Sequence, residues 1–200
     1  RWTAQGLLNS SYQVSSDADE RQSNLALGDQ RVGMRYALLN GTWAASLGGT
    51  LGVPWLYSLS QRPLPGYGQY SAQLNGTIGR GVSLAGNDGW SLLKAGYRWY
   101  FGGASDQLRS QLLLGVRFTR RWGILAQLDG TLAMQEGSFQ ANQDLSNPSV
   151  QSGYSVLKAT ASVIYEYSPR ATIQAGLHHE VVGADSGFGG GGVVSLWYRY

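Results

Sequence analysis

"SQLLLGVRFT", Ser110 to Thr119, alternates residue by residue. Leu112, Leu114, Val116 and Phe118 fall on one side of an extended chain. Gln111, Leu113, Gly115, Arg117 and Thr119 fall on the other. A period of two is the period of a β-strand. The same alternation recurs in "LKAGYRWYF" (Leu93 to Phe101), "KATASVIYEY" (Lys158 to Tyr167) and "ATIQAGLHHEV" (Ala171 to Val181). No stretch shows a comparable helical period.

Ten such segments can be marked, over 2–13, 25–38, 42–57, 70–85, 90–101, 108–119, 123–135, 154–167, 171–182 and 191–200. They are long for a soluble sheet and suited to crossing a bilayer at a tilt. Their connections alternate in character. Tight turns are expected at Asn40-Gly41, at "NDG" (Asn87 to Gly89), at Arg120 to Trp122 and at Ser168 to Arg170. Longer polar loops are expected over 15–24, 58–69, 102–107, 135–153 and 183–190. Short turns at one end and long loops at the other are the pattern of bacterial outer-membrane barrels. The expected fold is therefore all-β: a transmembrane up-and-down antiparallel β-barrel of about ten strands, one domain over 1–200. Eight or twelve strands are the alternatives, because parity breaks at Arg80. An even count places both termini on the periplasmic side. The last strand then has to pair with the first, since an open edge is untenable in lipid.

Composition agrees with this reading. Only 14% of residues are charged, against about a quarter in ordinary soluble chains, while glycine reaches 29 residues. The net charge of +3 and the lack of basic runs argue against a nucleic-acid partner. The absence of cysteine excludes disulfides and thiolate metal sites. Neither a cofactor nor a metal site is implied.

Aromatic residues are expected at both rims of a lipid-facing band. Trp2, Trp43, Trp90, Phe118, Trp122, Tyr165, Tyr167, Tyr198 and Tyr200 fall at the short-turn end. Tyr12, Trp55, Tyr57, Tyr70, Trp99, Phe101 and Tyr154 fall at the long-loop end. The opposite parity gives the interior. Its expected lining includes Arg31, Arg35, Lys94, Arg98, Arg109, Arg117, Lys158 and Arg199 against Asp29, Asp129, Glu166 and Glu180, together with His178 and Trp197. Cations outnumber anions there, so the field favours anionic solutes. A barrel of this size also fills much of its interior with side chains.

An enzyme is not expected. The two histidines, His178 and His179, are adjacent and so face opposite sides of a strand. Ser186 and Asp185 show no triad spacing with them. The loop "RPLPGYG", Arg62 to Gly68, is turn-rich and has two roles open to it: binding outside, with Leu64 and Tyr67 as candidate contacts at its tip, or folding over the mouth. "GFGGGG", Gly187 to Gly192, has no helix after it to make a phosphate loop. Its glycines instead leave room for large side chains from the neighbouring strand.

The ending "HHEVVGADSGFGGGGVVSLWYRY" resembles the C-terminal hairpin of outer-membrane proteins named for the meta-pathway of phenol degradation. The matching positions are Gly183, Gly189, Gly191, Ser195, Leu196, Trp197, Tyr198, Arg199 and the terminal aromatic Tyr200. The resemblance covers about the last 30 residues and implies transport of small molecules. An aromatic-ended last strand also resembles the signal read by the barrel-assembly machinery. The expected partners are thus outer-membrane lipid and lipopolysaccharide, that machinery, a small solute and a protein partner. The expected function is a channel or transport component with a narrow, net-positive lumen. The alternatives are a non-conducting structural or docking subunit of an export or adhesion assembly, and a membrane-embedded hydrolase.

Overall fold

A computed structural model describes residues 2–7, 10–16, 21–27, 29–54, 67–134, 153–184 and 189–198. Expectations placed on Trp55, Tyr57, Leu64, Asp185, Ser186, Arg199, Tyr200 and the Tyr12 side chain lie outside the described residues. The described elements are all strands: β1 (Trp2–Leu7), β2 (Ser10–Ser16), β3 (Arg21–Leu27), β4 (Gln30–Leu39), β5 (Trp43–Val53), β6 (Ser71–Leu84), β7 (Asn87–Tyr100), β8 (Gln107–Arg117), β9 (Trp122–Ala133), β10 (Ser155–Ser168), β11 (Ala171–Ala184) and β12 (Gly190–Tyr198).

Ten of them form one antiparallel sheet in the order β1-β4-β5-β6-β7-β8-β9-β10-β11-β12. From β4 onward every strand pairs with its successor, as an up-and-down topology requires. The described ladders end at β1 and β12, and none joins those two strands.

Two expectations about connections are corrected. The first concerns 15–24, expected as a loop. Strands β2 and β3 pair there instead, from Ser10↔Leu27 to Ser16↔Arg21. They form a two-stranded ladder of their own, separate from the ten-stranded sheet. The expected segments 2–13 and 25–38 already cover its base; the polar remainder, 14–16 and 21–24, lacks the apolar alternation that marks a strand.

The second concerns "NDG". Asn87 and Asp88 belong to β7, paired as Leu84↔Asn87 and Ser83↔Asp88. The turn is Ala85-Gly86, with φ of 51° and 78°. Two central residues with positive φ are what a type I′ hairpin needs. The side-chain amide of Asn87 donates to the Ala85 carbonyl at 3.4 Å. The turn chemistry is therefore shifted two residues toward β6.

The other tight turns fall where expected. Ser168↔Ala171 brackets Pro169-Arg170, and Ser168 Oγ accepts from the Arg170 and Ala171 amides. Between β8 and β9, Thr119 Oγ1 accepts from the Trp122 amide at 2.9 Å.

Side-chain parity divides the sheet into two unlike faces. One face exposes Met34, Leu47, Leu74, Leu112, Leu128, Val163, Leu177 and Val194, the last at 81%. The other face is largely polar, and Ser71, Asn75, Arg98, Gln107, Thr131, Ser162 and Gln174 are buried within it. Apolar outside and polar inside inverts the order of a water-soluble core. The polar face is concave: β4 and β9 contribute to a single cavity, as do β7 and β12. The fold is barrel-like.

Candidate functional site: a cationic interior

Of the residues expected inside, Arg31, Lys94, Arg98, Arg109 and Asp129 line one cavity on the concave face, and Arg117 and Trp197 line a second. Arg31 and Arg35 come from β4, Lys94 and Arg98 from β7, and Arg109 and Arg117 from β8. Asp129 comes from β9, Lys158 and Glu166 from β10, His178 and Glu180 from β11, and Trp197 from β12. They do not form one group. The interior separates into three zones.

The central zone is a cavity of about 250 Å³. Arg31, Lys94, Arg98 and Arg109 line it together with Thr50, Gln73, Gln111 and Asp129. Arg98 is 4% exposed and is the best-anchored cation. Its Nε donates to Gln73 Oε1 at 3.0 Å, its Nη2 donates to the same oxygen, and its Nη1 reaches the Tyr100 hydroxyl at 3.4 Å. Asp129 is held by two amides: Gln111 Nε2 donates at 2.8 Å and Gln127 Nε2 at 2.6 Å. These glutamines were absent from the predicted site. Their parity beside Arg98, Arg109 and Asp129 was a usable signal.

An aromatic cluster packs at the long-loop end. Tyr67 and Ala104 are buried, with Tyr100 and Tyr154 packed against them. The Tyr67 and Tyr100 rings sit 4.9 Å apart. The Tyr67 amide donates to Asp29 Oδ2 at 3.2 Å, and Gln107 Nε2 donates to the Tyr67 hydroxyl at 3.4 Å. Burial pushes the Tyr67 and Tyr154 phenols above the ordinary tyrosine range. Of the two roles open to the "RPLPGYG" loop, the buried Tyr67 fits folding over the mouth and not an exposed tip contact. Tyr154 is not at an outer aromatic rim but caps the interior, where a phenol can be both packed and hydrogen-bonded.

The short-turn end holds Trp90, Arg117, Ile164, Thr172 and Trp197 around a second cavity. Trp90 was expected at the rim, yet it shares its parity with Lys94 and Arg98 and points inward. Its ring covers Gly115, where a Cβ would lie 2.2 Å from Cζ2. The Arg117 guanidinium stands 5.8 Å from the Trp90 ring centroid. Arg117 Nη2 also approaches Glu166 Oε2 at 3.1 Å. That oxygen nevertheless has no partner in hydrogen-bond geometry, so the contact is a loosely aligned ion pair. Trp197 pairs with Thr172 in register and lines this cavity while staying 39% exposed.

The outer aromatics gather near the ends of the apolar band. Trp2 and Tyr36 rings are 4.8 Å apart, and Trp122 and Tyr165 rings 4.6 Å apart. Tyr167 and Tyr198 are exposed near the short turns. Trp99, Tyr70 and Phe101 are exposed near the opposite end. Arg80 is on the outer face with its guanidinium 4.9 Å from the Trp43 ring centroid. The break in parity noted at Arg80 is therefore a cation among rim aromatics, not a lost strand.

His178 and His179 do face opposite ways. His178 lies over Gly191 on the concave side, its Cε1 at 2.9 Å from where a Cβ would be. Glu180 and Lys158 are in register on the same face. Among the described residues, no three histidine or carboxylate side chains gather where they could hold a metal ion. In comparisons with known proteins, no family model and no curated sequence matches the chain.

Proposed function

We propose that this chain is an outer-membrane β-barrel serving as a channel or transport component with a narrow, net-positive interior. The observation that carries the reading is the pairing of an aliphatic, aromatic-rimmed exterior with a concave face whose central cavity is lined by Arg31, Lys94, Arg98 and Arg109. Strands β4 to β12 hold 9 to 14 residues, which suits a tilted crossing of about 9–11 residues. The tight turns then lie on the periplasmic side. A cationic lining selects by sign, which favours small anionic solutes. The terminal hairpin's likeness to the meta-pathway family supports transport, while this lining argues for polar cargo over hydrophobic cargo.

The test is conductance of the refolded chain in planar bilayers under a salt gradient. Small conductance with an anion-selective reversal potential is expected. A refolded barrel that conducts nothing under any applied voltage sinks the reading. A second reading has its own support. Tyr67, Tyr100 and Tyr154 pack at one end, while Trp90 and Trp197 narrow the other. That occupancy favours a non-conducting docking barrel, which would be recognised by a stable protein partner in detergent extracts and by silent bilayers.

A further inference from the structure

The central cavity contains an electrostatic imbalance. Arg31, Lys94, Arg98 and Arg109 line it, and Arg35 lies within electrostatic reach of Lys94. Arg31 likewise feels Arg98 and Arg109, with Asp29 and Tyr100 acting in the opposite sense as the smaller contributions. Among the described residues, no carboxylate oxygen comes within 4.0 Å of any of these five cations; the described ion pair, Arg117–Glu166, is in another zone. Asp129, the carboxylate on the cavity wall, is already occupied by Gln111 and Gln127. The Arg31, Lys94 and Arg109 side chains have no hydrogen-bond partner among the described residues. Three sets of donors therefore converge on the cavity while Arg98 is held rigid by Gln73.

Like charges this close are unfavourable in a poorly hydrated interior unless a counter-charge joins them. Guanidinium forks match the geometry of oxyanions, and several forks together match one carrying more than one charge. A cavity of about 250 Å³ falls below the size usual for organic ligands. We propose that this cavity, between β4, β7 and β8, is a binding site for a compact multivalent oxyanion of the phosphate or pyrophosphate type. It is held by Arg31, Lys94 and Arg109 against the anchored Arg98. The cavity lies on the concave face, away from the exposed apolar band, so the anion is a free solute and not a lipid headgroup. This deepens the reading of the interior as a path for anions and rests on it for its biological meaning.

The test measures binding without conduction. The refolded full chain in detergent is titrated with inorganic pyrophosphate, phosphate and chloride at matched ionic strength, by calorimetry and by thermal unfolding. Pyrophosphate is expected to bind at least tenfold tighter than chloride and to raise the unfolding temperature. The pair Arg31→Gln with Arg109→Gln is expected to weaken pyrophosphate binding at least tenfold. Lys94→Met alone is the milder second variant and is expected to weaken it in the same direction. Arg120→Gln with Arg121→Gln, on the exposed β8–β9 turn, is expected to leave it unchanged. Pyrophosphate binding no tighter than chloride overturns the proposal, as does an equal loss in the turn variant. Binding in a barrel that does not conduct would keep the site and remove the channel. Conduction without binding would do the reverse.

Discussion

At the residue scale, the interior is specified by pairs in which one partner is small because the other is large. Trp90 over Gly115 is the clearest. Any side chain at 115 would start 2.2 Å from the indole. Gly115→Ala must therefore move Trp90 away from Arg117, at the about 1–3 kcal/mol typical of overpacking. Urea titration of the refolded protein measures that loss, and adding Trp90→Leu should restore most of it. The tyrosine cap gives a pH dependence. Burial raises the Tyr67 and Tyr154 phenols above their ordinary value, so the neutral forms are favoured in the folded state. Their contribution is fully present below the unfolded value of about 10. It declines as pH rises beyond that toward the folded values. Alkaline titration followed by phenolate absorbance should show tyrosines that ionise late, and Tyr67→Phe should remove one of them. If all tyrosines titrate together near 10 with the fold intact, the cap is not closed.

At the element scale, the turn between β6 and β7 contains an avoidable strain. Ala85 sits at φ 51°, a region that costs an L-residue without local hydrogen bonding about 1–2 kcal/mol. Ala85→Asn restores the Asn-Gly pair preferred in type I′ turns and should stabilise the protein by about 1 kcal/mol. Gly86→Val, at φ 78°, should destabilise it by at least as much. Equilibrium unfolding in urea reads both effects. The same element shows where sequence reading succeeded and where it stopped. Strands β7 to β12 were legible because their two faces differ chemically, so parity alone placed Lys94, Arg98, Arg109 and Glu166. The turn was misplaced because "NDG" carries the right residues, whereas pairing from Val82↔Gly89 to Leu84↔Asn87 decides where a hairpin closes. Only the base of the β2–β3 ladder fell inside the expected strands, because the polar residues over 14–16 and 21–24 give no apolar alternation. Folding over the mouth was one of two roles legible for the "RPLPGYG" loop, but nothing in that stretch encodes the contact of Tyr67 with Tyr100, 33 residues away (100 − 67).

At the scale of the whole molecule, the proposed bilayer location makes a claim about solvent that can be tested. In water the exposed band of Leu47, Leu74, Leu112, Leu128 and Val194 would be an association surface far beyond the usual patch. In a bilayer, the same band supplies the stabilising transfer, and the polar concave face needs only internal partners such as Gln174–Ser162 at 2.9 Å. The two solvents predict opposite effects for neighbouring substitutions. Leu112→Arg places a cation on the apolar face near mid-strand, and lipid should penalise it by about 2–4 kcal/mol. Gln111→Arg, one residue away, points into the cavity and should leave the barrel folded while strengthening its cationic field. Equilibrium folding into phosphatidylcholine vesicles, followed by tryptophan fluorescence, compares the two. The proposed orientation requires the Leu112 variant to lose more stability than the Gln111 variant. A larger loss for Gln111→Arg would mean that the apolar face is not the one in contact with lipid, and the membrane reading would fail with it.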